Sequence, residues 1–338
     1  MIFTLALSSL ALADAPPPPP IVGGSATAEY AAVGALVAVD PMGNIAGSFC
    51  SGTLIDDEMV LTAAHCVDGL LEIQEMGYRD FEFVVGTDVS SASGTWERLD
   101  ITEWIRHPAW DPSGYENDIA LLQLAEPSEV ATPALLNRGI ADADWAGEDI
   151  TFVGWGKADD TAADTSGIKR TVDVPFFDLY DLLFLTHGED NKNVCYGDSG
   201  GAAFLTDETG LKRLAGVNSF IFSVEGNEPS CEGSDAAAGA ARVDAYLDWI
   251  GSYVDLTETE EEEEEEPEVI EPEEEIEPEE EEPEESVQSS ADSEQPTPDF
   301  EAPGQSVTES SSGCAVAAAS PHAGLSLLAL LAMVRRRR

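Results

Sequence analysis

Between Ile21 and Val254 the apolar residues come in short runs. Gly34 to Val39, Gly52 to Ile55, Phe81 to Val85, Ile119 to Leu124, Ile150 to Val153 and Leu214 to Val217 are separated by Gly, Asp, Pro and Ser. Runs of four to six residues bounded by turn formers predict β-strands with at least one buried face. The period changes only at the end, where Val243, Leu247, Ile250 and Val254 recur at helical spacing. The expectation is an all-β domain over residues 21–255 that closes with one amphipathic helix. No longer-period repeat interrupts it.

The flanks have other textures. Ile2 to Leu10 is mostly apolar and small residues follow, the pattern of a secretory signal. Ala11-Leu12-Ala13 and Ala13-Asp14-Ala15 both fit the small-x-small cleavage rule. The second would leave Pro16 just after the cut, where its ring hinders the protease. Cleavage after Ala13 is therefore expected, making residues 1–13 a signal peptide and 14–20 a proline-rich propeptide. Pro16 to Pro20 should be extended polyproline II.

At the other end, residues 256–312 carry 25 acidic and no basic side chains, with seven consecutive glutamates from Glu260 to Glu266. Like charges repel and prolines break helices, so a disordered Glu/Pro-rich linker is expected. Such a chain spans ~40 Å as a relaxed coil and ~180 Å when stretched. Residues 313–338 then hold Gly313-Cys314, a 20-residue apolar-leaning stretch from Ala315, and Arg335 to Arg338. That stretch is just long enough to span a bilayer as a helix, with the arginines kept on the cytoplasmic side. This end resembles the bacterial C-terminal sorting signals of the myxobacterial type. The resemblance implies an exported protein at the surface of a Gram-negative cell, with Cys314 as the anchor. Processing at Cys314 and a permanent span both remain open.

Charge narrows the function classes. The chain has 67 acidic and 15 basic residues, a net of −52. Residues 21–255 hold 41 acidic and 11 basic, a net of −30. A nucleic-acid binder needs a basic face to replace phosphate counterions, so none is expected here. Docking on anionic lipid is likewise disfavoured, leaving membrane contact to the C-terminal segment. A monomer is expected.

The chemistry centres on one serine. Gly197-Asp198-Ser199-Gly200-Gly201 surrounds it with three glycines, which permit a tight turn and close approach of a substrate. The N–H groups of Gly197 and Ser199 could point into one pocket. A serine nucleophile needs a base, and the chain has four histidines. His322 lies in the tail, His107 precedes Pro108 and His187 sits in a loop-like stretch. His65 ends an apolar strand in Val60-Leu61-Thr62-Ala63-Ala64-His65-Cys66. Asp118 stands out among the acids because Ile119-Ala120-Leu121-Leu122 follows it, and a charge abutting a buried strand must be paired or hydrogen-bonded.

Ile21-Val22-Gly23-Gly24, Phe49-Cys50-Ser51-Gly52, Thr62-Ala63-Ala64-His65-Cys66, Asn117-Asp118-Ile119-Ala120-Leu121-Leu122, Gly154-Trp155-Gly156 and Cys195-Tyr196-Gly197-Asp198-Ser199-Gly200-Gly201 occur in that order. Together they resemble the chymotrypsin-like (trypsin family) serine proteases over residues 21–254, which use the same His, Asp, Ser order. The resemblance implies two six-stranded antiparallel β-barrels. His65 would be the general base, Asp118 its orienter and Ser199 the nucleophile, with Gly197 and Ser199 N–H as the oxyanion hole. Ser219 would line the cleft and pair with substrate backbone. Cys50 with Cys66 and Cys195 with Cys231 would be disulfides. A zinc site fails on spacing, because no close C-x2-4-C pair exists. No cofactor or metal is expected.

By the same resemblance, a new Ile21 amine would fold inward onto Asp198. Three departures stand beside this. No cysteine lies in residues 176–192, Pro20 precedes Ile21 where the family usually has Arg or Lys, and Ala202 replaces the usual proline. Asn193, six residues before Ser199, falls at the pocket floor with no charge to hold a Lys or Arg. Ile221, beyond Phe220, should narrow the slot toward small or medium uncharged side chains. The opposite wall falls at Ala238 or Gly239. The leading expectation is a surface-tethered serine endopeptidase acting on proteins or peptides. The alternative is a catalytically silent binding module of the same fold.

The net charge of −30 makes a direct prediction. Self-repulsion is screened as the Debye length falls from about 10 Å at 0.1 M to about 3 Å at 1 M salt. The melting midpoint of residues 21–255 should therefore rise between low and ~1 M NaCl. A flat or falling midpoint counts against it.

Overall fold

The computed structural model describes residues 21–90, 96–139, 145, 148–160, 165–188 and 191–256. The expected signal peptide and propeptide, the acidic segment from residue 257 and the segment with Cys314 lie outside the described residues.

A short strand β1 (Ser25–Ala26) precedes the first barrel, built from β2 (Val33–Val39), β3 (Ile45–Asp56), β4 (Met59–Thr62), β5 (Asp80–Val85), β6 (Glu97–Arg106) and β7 (Ala120–Leu124). These close in the order β2-β3-β4-β7-β6-β5, all antiparallel. The second barrel uses β8 (Asp149–Gly154), β9 (Arg170–Leu179), β10 (Leu183–His187), β11 (Ala202–Thr206), β12 (Lys212–Ser223) and β13 (Ala236–Arg242). Its order is β9-β10-β13-β12-β11-β8, and β8 pairs with β9 to close it. Strand β1 adds to β9, so the chain leaving Ile21 is stapled to the second barrel before entering the first.

Closure removes free sheet edges, and small residues make the tight interiors possible. Every residue of β13, Ala-Ala-Ala-Gly-Ala-Ala-Arg, is buried. A Cβ on Gly216 would sit 2.6 Å from the Phe184 ring, and one on Gly34 would sit 2.5 Å from the Phe83 ring. In each barrel a phenylalanine occupies the space a glycine leaves. One core cluster runs from the first barrel into the second around the fully buried Trp155, whose N–H donates to Ser51 Oγ at 3.0 Å and whose indole N–H reaches Val33 C=O at 3.4 Å, while a separate cluster with Ile150, Phe152 and Phe184 lies in the second barrel.

Two helical findings modify the sequence expectation. A 12-residue helix α1 (Ala64–Glu75) follows β4, where only strands were expected before the end. Its buried residues Ala64, Cys66, Val67 and Leu70 follow a helical stripe, partly hidden in the sequence by Gly69. At the end, a 3-10 turn (Asp244–Tyr246) runs into α2 (Leu247–Ile250), shorter than the spacing implied. Val243, Ile250 and Val254 are buried as that spacing required.

Both expected disulfides form, Cys50–Cys66 across 16 residues and Cys195–Cys231 across 36. On a chain-entropy estimate the first contributes about 3 kcal/mol and the second slightly more. Replacing Cys50 and Cys66 by Ala should lower the unfolding free energy by about 3 kcal/mol, read from the denaturant midpoint at constant m. A loss under about 1 kcal/mol would mean that α1 is held by packing alone.

Candidate active site

Three chain reversals bring the site together. His65 lies in the first turn of α1, directly after Ala63, whose extended backbone (φ −85°, ψ 146°) breaks from β4 into the helix. Asp118 precedes β7 and follows Asn117, which takes φ +58°. Ser199 lies in the turn between Cys195 and β11.

Asp118 is 1% exposed and its charge is met from several sides. Its Oδ1 accepts the His65 backbone N–H at 2.9 Å. Its Oδ2 lies 2.7 Å from His65 Nδ1 and accepts the Ser219 hydroxyl at 2.5 Å. With Nδ1–H directed at a carboxylate, the imidazole keeps Nε2 as an acceptor, and the Cys66 sulfur 3.9 Å from it is in a disulfide with no proton to donate. The His65 side chain is 26% exposed. Burial pulls its pKa down, but the charge and hydrogen bond of Asp118, helped by Asp68, win and raise it above the ordinary value.

Ser199 is positioned through its backbone. Its C=O accepts the Ser51 N–H at 2.8 Å, and the Gly200 N–H donates to Asn218 C=O at 2.8 Å. Cys66 Sγ lies 3.5 Å from the Ser199 carbonyl oxygen, so the serine turn abuts the residue after His65. Gly200, at φ +78°, faces Ser51 O and Thr62 Oγ1 so closely that no side chain fits. Asp198 donates N–H to Cys195 C=O, and Gly201 donates to Asp198 C=O. Among the described residues, the N–H groups of Gly197 and Ser199 have no protein acceptor. Gly197 takes φ +96°, and its C=O is held by the Ser51 hydroxyl at 2.9 Å. Two open donors therefore flank Ser199.

Asp198 is fully buried. Its carboxylate accepts N–H from Gly156 and Cys195, each at 2.8 Å. Burial nonetheless raises its pKa to about 6, against these bonds and the field of Arg170. A Cβ on Gly156 would fall 2.7 Å from Asp198 Cγ, which explains the glycine after Trp155. Ile21 is fully buried among Ile150, Phe152 and Val194. Val22 packs on Cys195 and Cys231, and its C=O accepts the Asn193 N–H at 3.1 Å. Pro20 still acylates the Ile21 nitrogen in this chain.

Of the two residues left open by the sequence, the strand register sets Ala238 opposite Ile221 and Gly239 opposite Phe220. Asn193 is fully buried, with both amide atoms lacking a protein partner. Tyr115 was not anticipated. Its ring lies 6.2 Å from that of His65 and 5.5 Å from that of Phe220, and its φ is +55°. Its position three residues before Asp118 was the only sequence signal. Ser219, expected to line the cleft and pair with substrate backbone, uses its hydroxyl on Asp118.

The other described histidines do other work. His107 packs between Tyr246 and Trp249, and burial lowers its pKa. His187 Nε2 lies 2.9 Å from Ser234 C=O. Cys50, His65 and Cys66 cluster, as do Asp160, Cys195 and Cys231, but the sulfurs are joined as disulfides and offer no thiolate to a metal.

Comparison with known proteins agrees with this arrangement. The family model described as Trypsin matches residues 21–250. Brachyurin of Leptuca pugilator is 32% identical over 211 residues, covering 62% of this chain and 89% of brachyurin. Vitamin K-dependent protein C of Mus musculus is 30% identical over 261 residues, covering 70% of this chain and 52% of that protein. Collagenase of Hypoderma lineatum is 28% identical over 221 residues, covering 60% and 75%. With a family model matched across both barrels and the whole site, the chain belongs to the trypsin family of serine endopeptidases.

Proposed function

We propose that Ser199, His65 and Asp118 hydrolyse peptide bonds through an acyl-enzyme. One observation carries the reading: His65 offers an open Nε2, fixed by Asp118, beside a serine turn with two unused N–H donors. His65 Nε2 takes the Ser199 Oγ proton as the oxygen attacks the substrate carbonyl. The developing oxyanion is received by the Gly197 and Ser199 N–H groups, which need no reorganisation. Asp118 stabilises the imidazolium, which then protonates the leaving amine. Water enters by the same route and frees Ser199.

Activation in this reading follows a cut after Pro20, when the Ile21 amine pairs with Asp198. A β-branched residue at φ +33° is strained, and hydrolysis of the Pro20–Ile21 bond frees that torsion. Specificity for small or medium uncharged side chains rests on Asn193, Ile221 and Ala238, which present no carboxylate to a basic residue. The two disulfides fit an oxidising compartment. With the N-terminal signal and C-terminal segment, they support an exported protein tethered at the cell surface through the linker and Cys314.

Ser199→Ala should lower kcat by about a millionfold and His65→Ala by a similar factor, with unchanged melting midpoints. A Ser199→Ala protein that still cleaves casein near the wild-type rate would falsify the assignment. The raised His65 pKa places the acid limb of kcat/KM above pH 6.5, because the neutral imidazole is the working form. Asp118→Asn should move that limb down and cost roughly 10⁴ in kcat. In a peptide library varied only on the acyl side of the cut, Ala, Val and Leu should outpace Arg and Lys. A preference for Arg or Lys of more than about tenfold overturns the pocket reading.

A further inference from the structure

The buried carboxylate of Asp198 already has a cation near it in the uncleaved chain. Arg170, the first residue of β9, is 4% exposed. Its Nη1 donates to Gly156 C=O at 2.8 Å and to Thr165 C=O at 2.9 Å. The N–H of the same Gly156 donates to Asp198 Oδ1 at 2.8 Å. One glycine thus stands between guanidinium and carboxylate, bonded to both. Arg170 Nε is buried with no hydrogen-bond partner, a donor left over in the vicinity. Arg170 also pairs in register with Ala26 of β1, five residues beyond Ile21, so the strand that seats the N-terminal segment carries the cation.

We propose that Arg170 is a positioning residue that supplies a resident counter-charge for Asp198 before Pro20–Ile21 is cut. It thereby holds the Gly197–Ser199 turn in its donor-presenting form in the single chain. The physical need is plain. A buried carboxylate without a cation is costly, and the cheapest escape is to swing the turn outward and lose the two donors. Arg170 opposes that escape, because its positive field, reaching Asp198 through the buried Gly156 peptide, favours the ionised carboxylate. Burial lowers the Arg170 pKa from its ordinary value, and the charges of Asp198 and Asp88 work against that loss. The uncleaved chain is then an active enzyme, weaker than the cut form, and not a silent precursor.

This rests on Ser199 being the nucleophile, and the experiment separates the two claims. The full chain is purified with residues 14–20 attached, verified by intact mass. A second preparation has Pro16 to Pro20 replaced by an enteropeptidase site and is cut so that Ile21 is first. Both are titrated with a fluorophosphonate, which phosphonylates the serine oxygen with loss of fluoride. The uncleaved chain should label within roughly 30-fold of the cut one. Arg170→Gln should slow labelling of the uncleaved chain at least about tenfold more than that of the cut chain, and Arg170→Lys should restore most of the loss. An equal loss in both forms means a merely structural arginine and overturns the proposal, as does a wild-type uncleaved chain that does not label while the cut chain does. If neither form labels, the Ser199 assignment fails and this inference with it. A circular dichroism melt of each variant identifies misfolding, for which Arg170→Lys serves as the second test.

Discussion

The constraint on which the site depends is the burial of Asp198. A carboxylate taken wholly out of water must be met by donors, and here they come from Gly156 at the end of β8 and from Cys195 beside a disulfide. Meeting them pins the turn from residue 195 to 201 against the second barrel. The same turn is pinned to the first barrel by Ser51, which donates its N–H to Ser199 C=O and its hydroxyl to Gly197 C=O. Most other backbone groups of the turn are so occupied, while the Gly197 and Ser199 N–H groups stay open. The site's open donors are the residue of a nearly complete hydrogen-bond account.

Asp118 plays the corresponding part for His65. It receives the His65 N–H, the His65 ring and the Ser219 hydroxyl, drawn from α1 in the first barrel and β12 in the second. The carboxylate ties the two barrels together at the cleft and fixes the tautomer of the imidazole at once. Trp155 does the apolar equivalent below it, with its N–H on Ser51 and its indole reaching Val33. Relative placement of the barrels and catalytic geometry are therefore the same problem, solved by shared residues.

The uneven charge of the domain gives its few cations particular value. With 41 acids against 11 bases, a basic residue kept from solvent is a strong local choice. Arg170 binds the carbonyl of Gly156, whose N–H binds Asp198. Arg242, 8% exposed, binds Asp244 and the carbonyls of Tyr180 and Asp181. Lys169 is 2% exposed with its ammonium on Tyr30 C=O, and burial lowers its pKa to about 8. The acidic surface repels itself, while the buried cations organise carbonyls and carboxylates inside.

The all-β architecture was legible in the sequence because short apolar runs and turn residues are local signals, and all six runs lie in strands or directly against them. So were the Ser199, His65 and Asp118 motifs, since each needs particular residue types at adjacent positions: glycines for the turn, a histidine after a strand, an acid before one. Helix α1 was less legible because its apolar stripe is interrupted by Gly69 and its first turn carries His65 and Cys66. The partners of Tyr115, Arg170 and Ser51 were not legible, although Ser51 stands in the Phe49-Cys50-Ser51-Gly52 motif and Tyr115 three residues before Asp118. Nothing near them in the chain indicates their partners, which lie across a barrel or in the other barrel and are separated by tens of residues. The same holds for the residue opposite Ile221, because a loop of irregular length precedes β13 and only the observed strand register selects Ala238. Sequence determined which residues are fit for the chemistry. Tertiary structure alone decided which buried charges meet, because long-range pairing depends on strand register and barrel closure, and neither is written in any local stretch of chain.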